Sequence, residues 1–78
     1  SRFVLGELFR AEEQGELIGR EKILEAARTS HLPLSQREVR ESLAQLAAAG
    51  LAKVSRGRGG SRITPAGRKA WEDNQNNQ

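Results

Sequence analysis

Apolar residues recur at spacings of three and four in three windows of this chain, each bounded by residues that start or stop a helix. In the first window Phe3, Val4, Leu5, Leu8 and Phe9 form an apolar side, and Arg10, Glu12, Glu13 and Gln14 a solvated one. This predicts a helix over about residues 2–14, ended by Gly15. Gly6 costs up to ~1 kcal/mol within it relative to Ala, and leaves room for a neighbouring helix to come close. The second window predicts a helix over about residues 20–30. Gly19 is its N-cap, Ile23, Leu24 and Ala27 face inward, and Lys22, Glu25 and Arg28 face out. The third window predicts a helix over about residues 35–49. Ser35 and Glu38 have the spacing of a capping box. Val39, Leu43, Leu46 and Ala47 form the apolar stripe, and Gln36, Arg37, Arg40, Ala44 and Ala48 the other side. Gly50 stands where a left-handed C′ residue belongs.

Between the helices the pattern changes. Pro33 disfavours helix at Leu32, so the chain breaks there, and His31 is a turn residue. Leu51 to Val54 suits a short strand, and Arg62 to Thr64 can return beside it across Arg56-Gly57-Arg58-Gly59-Gly60. The strands are expected at about 51–55 and 61–64, with Glu16-Leu17-Ile18 as a third pairing segment. Thr64-Pro65 opens a last helix over about 65–73, with Thr as N-cap and Pro at the first helical position. Trp71 is expected to anchor that helix against the first. The polar run 74–78 reads as a frayed end or linker. The expected class is mainly α with a small antiparallel sheet, in one domain over residues 1–73.

Length and charge sharpen this. A chain of 78 residues hides only about 60% of its unfolded surface, so its core is small. It has no cysteine, which excludes disulfides, thiolate metal sites and thiol nucleophiles. No apolar run approaches the roughly 20 residues needed to span a bilayer. The first residue is Ser1 and not methionine, so a domain of a longer protein or a processed start is expected. The net charge is +3 and the pI about 10.2, but the distribution says more. Residues 35–69 hold eight cations against two anions, and residues 1–34 five against six. A near-neutral front and a basic back is the footprint of a domain that meets a polyanion.

Catalytic chemistry is not expected. The GRGG run lacks the two glycines four apart and the Lys-Ser/Thr of a phosphate-binding loop. The single histidine has no cysteine or acidic cluster beside it, so no metal site is expected. The carboxylates are mostly spread along helices beside cations. No enzyme activity and no cofactor follow from these residues.

The string G-L-A-K-V, an arginine-bearing glycine-rich tip and then S-R-I-T-P-A-G-R-K-A resembles winged-helix (winged helix-turn-helix) transcriptional regulators. It looks most like the N-terminal domain shared by the NrpR-type nitrogen repressors and ribonuclease R. The resemblance covers about residues 16–72 and is strongest from Leu34 to Ala70. It implies a three-helix core with a two- to three-stranded β-wing and operator DNA as partner. The ribonuclease relatives imply RNA as an alternative, and winged helices also serve as protein-docking modules.

The residues themselves fit a groove reader. The major groove is about 12 Å wide and admits one helix, which reads bases with its N-terminal residues. Here those are Ser35, Gln36, Arg37 and Arg40. Gln pairs with adenine and Arg with guanine. Glu41 stands four residues after Arg37, where it orients that arginine. Arg56, Arg58 and Arg62 on the wing suit the DNA backbone or the minor groove, and Lys53 a phosphate. Only Phe3, Phe9 and Trp71 are aromatic, none of them on the reading helix or wing, which argues against single-stranded RNA. A homodimer on double-stranded DNA is expected, with any effector or sensory domain elsewhere in a longer parent chain, and a cytoplasmic, nucleoid-associated location.

Overall fold

A computed structural model describes residues 2–55 and 60–76. Four helices, α1 (Arg2–Glu13), α2 (Arg20–Thr29), α3 (Gln36–Ala48) and α4 (Pro65–Asn76), surround a two-stranded antiparallel sheet of β1 (Ala52–Val54) and β2 (Ser61–Ile63). The protein is mainly α with a small β hairpin, an α+β winged-helix-like layout.

Local chemistry sets the ends of these elements. Gly15, at φ 70°, closes α1. Gly19 caps α2 in extended conformation. His31 turns the chain at φ 60°, a region in which His is several-fold enriched. The Ser35 hydroxyl accepts from the Glu38 N–H at 3.1 Å, and the Glu38 carboxylate accepts from the Ser35 N–H at 3.0 Å. That is a complete capping box. Gly50, at φ 77°, stops α3 and sends the chain into β1. Thr64 then does two jobs. Its hydroxyl donates to the Gly50 carbonyl at 2.7 Å and accepts from the Gly67 N–H at 3.0 Å, tying the end of α3 to the start of α4.

The core lies between α1, α2, α3 and the inner face of the sheet. Val4, Leu8, Ile23 and Val39 are fully buried at its centre, with Leu43, Leu46, Ala52 and Ile63 around them. Ala52 stands opposite Ile63, Lys53 opposite Arg62 and Val54 opposite Ser61. Ile18 and Ser61 exchange two backbone hydrogen bonds, at 3.1 and 2.8 Å, so the 16–18 segment adds a single bridge rather than a third strand. Trp71 of α4 lies over Gly6 of α1, where a Cβ would sit 2.7 Å from the indole ring. The Phe9 and Trp71 ring centroids are 6.1 Å apart. The glycine expected to admit a neighbour does so, and the neighbour is α4.

Three expectations change. Ala47 is exposed. At 100° per residue it lies about 80° round α3 from Val39, past the edge of the packed stripe. The strands, Ala52–Val54 and Ser61–Ile63, are shorter than expected: the Thr64 N–H still donates to the Leu51 carbonyl at 3.1 Å, but the Thr64 hydroxyl is turned to capping α4. Helix α4 continues to Asn76 instead of ending near residue 73, since no glycine or proline follows Trp71 to stop it. Residues 77 and 78 of the expected tail lie outside the described residues.

Candidate nucleic-acid interface

Helix α3 is held against α2, α1 and β1 by the buried line of Val39, Leu43 and Leu46. That line decides what the other side presents. Measured from Val39, Arg37 lies about 160° round the helix, Arg40 about 100° and Gln36 about 60°. All three are exposed, as is Ser35. Gln36 clears the core despite its smaller angle because it stands in the first turn, ahead of the first packed residue. Gln36, Arg37 and Arg40 therefore share one exposed arc on the N-terminal half of α3, with Ser35 just ahead of it as the N-cap.

Their hydrogen-bonding states differ. Ser35 Oγ is used as the cap acceptor, which leaves its O–H free to donate to a phosphate. Arg37 Nε donates to Glu41 Oε1 at 3.0 Å, the orienting contact expected from the i, i+4 spacing. It leaves both terminal guanidinium nitrogens free to form a fork on guanine O6 and N7. Both partners are largely solvent-exposed, so the pair contributes only a few tenths of a kcal/mol to the helix. Arg40 makes no ion pair among the described residues.

On the hairpin, Lys53 and Arg62 stand directly opposite each other, both exposed on the outer face of the sheet. Arg62 is not a free cation: its Nη2 lies 3.6 Å from Oε2 of Glu12 on α1. Sequence reasoning missed this pair because its members are fifty residues apart and no local spacing links them. The expected sites Arg56 and Arg58 lie outside the described residues. The outer sheet face and α4 enclose an open groove of about 760 Å³, lined by Lys53, Arg62, Arg68 and Lys69. Arg68 is stacked over Phe9 with its guanidinium carbon 5.8 Å from the ring centroid. Sequence reasoning had not placed these last two cations at an interface.

The chain matches no family model, no curated protein and no solved structure. What the site can do therefore follows from its own residues. Among the described residues no group of three or more His, Asp or Glu side chains could hold a metal ion. No described helix is long and apolar enough to cross a membrane. The exposed chemistry described above is a set of cations and an amide on a helix and an adjoining sheet. Such a surface can bind, orient and discriminate an anionic polymer.

Proposed function

We propose that this chain is a winged-helix domain that binds double-stranded DNA sequence-specifically, as part of a transcriptional regulator. One observation carries the reading. A capped helix buries Val39, Leu43 and Leu46 and presents Gln36, Arg37 and Arg40 to solvent, with the Lys53 and Arg62 hairpin following directly. In this reading α3 enters the major groove. Arg37 and Arg40 take guanines, Gln36 an adenine, and the Ser35 hydroxyl a phosphate. Lys53, Arg56, Arg58 and Arg62 contact the backbone or the minor groove. The protein acts as a homodimer on two half-sites in the cytoplasm, at the nucleoid, with effector control supplied by other parts of a longer chain.

A fluorescence-anisotropy titration with random-sequence duplex tests the class. Affinity is expected to fall steeply with salt, by about 0.9 in the log–log slope for each neutralised phosphate. Duplex RNA and single strands, titrated at matched salt, are expected to bind more weakly. Preference for RNA would replace DNA as the partner. Absence of salt-dependent nucleic-acid binding would leave a protein-docking role for the exposed Ala44, Ala47 and Ala48 end of α3.

A further inference from the structure

We infer that the opening turns of α4, through Arg68 and Lys69, extend the backbone contact proposed for Lys53 and Arg62 into one continuous phosphate-binding surface apart from the reading face of α3, with Glu12 as an internal competitor for it. The inference rests on the duplex-binding reading above. Two charge placements carry it. Lys53 and Arg62 are directly opposed across β1 and β2 and both exposed, and like charges so placed work against the sheet. Arg68 and Lys69 stand at the fourth and fifth positions of α4, near the end of the helix where its dipole favours anions over cations. Glu12 offsets part of the cost for Arg62 and the Phe9 ring part of it for Arg68, but Lys53 and Lys69 make no ion pair among the described residues, and all four cations line the same open groove. A row of phosphates along the groove offsets both costs at once.

The acids around the groove define its limits. Glu72 and Asp73 also line it, one turn beyond Arg68 and Lys69, but no ion pair joins them to those cations among the described residues. They repel phosphate, so the backbone track crosses the sheet and the start of α4 and stops short of its C-terminal half. Glu12 stands at the other edge, 3.6 Å from Arg62. It partly neutralises Arg62 in the free protein, and a phosphate must displace it. Glu12 thereby lowers sequence-independent affinity, and leaves a larger share of the binding free energy to the bases read by α3.

The test is a salt series of anisotropy titrations on random-sequence duplex with the full chain and the variants Lys53→Gln, Lys69→Gln, Glu12→Gln and Lys22→Gln. Lys22 lines a different groove, between α1 and α2, and serves as the control. Melting followed by circular dichroism checks that each variant folds. Lys53→Gln and Lys69→Gln are each expected to lower the log–log slope by about 0.9, which is about eightfold in affinity at 0.1 M salt relative to 1 M. Glu12→Gln is expected to tighten binding and steepen the slope, and Lys22→Gln to match the parent. Unchanged slopes for Lys53→Gln and Lys69→Gln, with the parent still binding duplex steeply, overturn the groove and leave the reading helix standing. A drop for Lys22→Gln equal to theirs overturns it too, as a general charge effect. Looser binding by Glu12→Gln overturns the competitor role. A parent chain that binds no duplex at low salt overturns the duplex reading itself.

Discussion

Thr64 is the residue on which most of the architecture depends for its size. One hydroxyl donates to the carbonyl of Gly50 and accepts from the N–H of Gly67, so it fixes the end of α3 and the start of α4 together. Thr64→Ala is expected to cost about 1–2 kcal/mol, the range for a lost N-cap, and Thr64→Ser to recover most of it, both read from denaturant melts. Gly67 is the steric counterpart. A Cβ there would overlap the Leu51 carbonyl oxygen and sit 2.6 Å from Ile63 Cγ1. Gly67→Ala is therefore expected to destabilise by about 1–3 kcal/mol, as overpacking does. Functional residues should behave in the opposite way. Arg40 is exposed and unpaired among the described residues, so Arg40→Ala is expected to change stability by no more than about 0.5 kcal/mol. On a selected duplex it is expected to cost about 1–3 kcal/mol of binding, with little change on random duplex. Equal losses on both duplexes would make Arg40 a phosphate contact and not a base reader.

Helix α3 couples folding to reading at the scale of an element. The capping box that starts it also holds Gln36 and Arg37 in helical register, since both lie between Ser35 and Glu38. Ser35→Ala is expected to lower stability by about 1 kcal/mol and to weaken selected duplex more than random duplex, because the first turn frays where the base contacts begin. Loss of stability with no change in that ratio would separate the cap from recognition. Element starts and stops were legible in the sequence wherever one local interaction decides them: Ser35 with Glu38, Gly50 at positive φ, and Thr64 before Pro65. What depends on distant partners was not. Ala47 was expected in the stripe because its spacing alone cannot say how wide a packed face is. The length of α4 was hidden because the polar run after Trp71 holds no stop residue, and composition alone reads such a run as a frayed end. The ion pair of Glu7 with Arg10 at 2.6 Å is a local i, i+3 contact, but the burial of Glu7, 9% exposed, depends on what packs over α1, and the hold of Glu12 on Arg62 joins residues far apart in the chain.

The Cα extents of the whole molecule, 28 × 27 × 24 Å, are less than the 34–36 Å between successive half-sites on one face of DNA. One copy therefore covers one half-site, and two copies on a repeated site are expected to bind more tightly than one. Charge at this scale agrees with the local picture. The basic excess of residues 35–69 falls on the stretch that holds α3, the hairpin and the start of α4, and the acids of α1 and the end of α4 border it. The central claim is that α3 reads bases, and selection of bound duplexes from a random pool, sequenced for the parent and for Arg40→Ala, tests it most directly. The account predicts a consensus several base pairs long in each half-site, two-fold symmetric, with preference for guanine lost at one position in the variant. A pool that stays random in sequence while the protein binds it, or a consensus that Arg40→Ala leaves intact at every position, would contradict it.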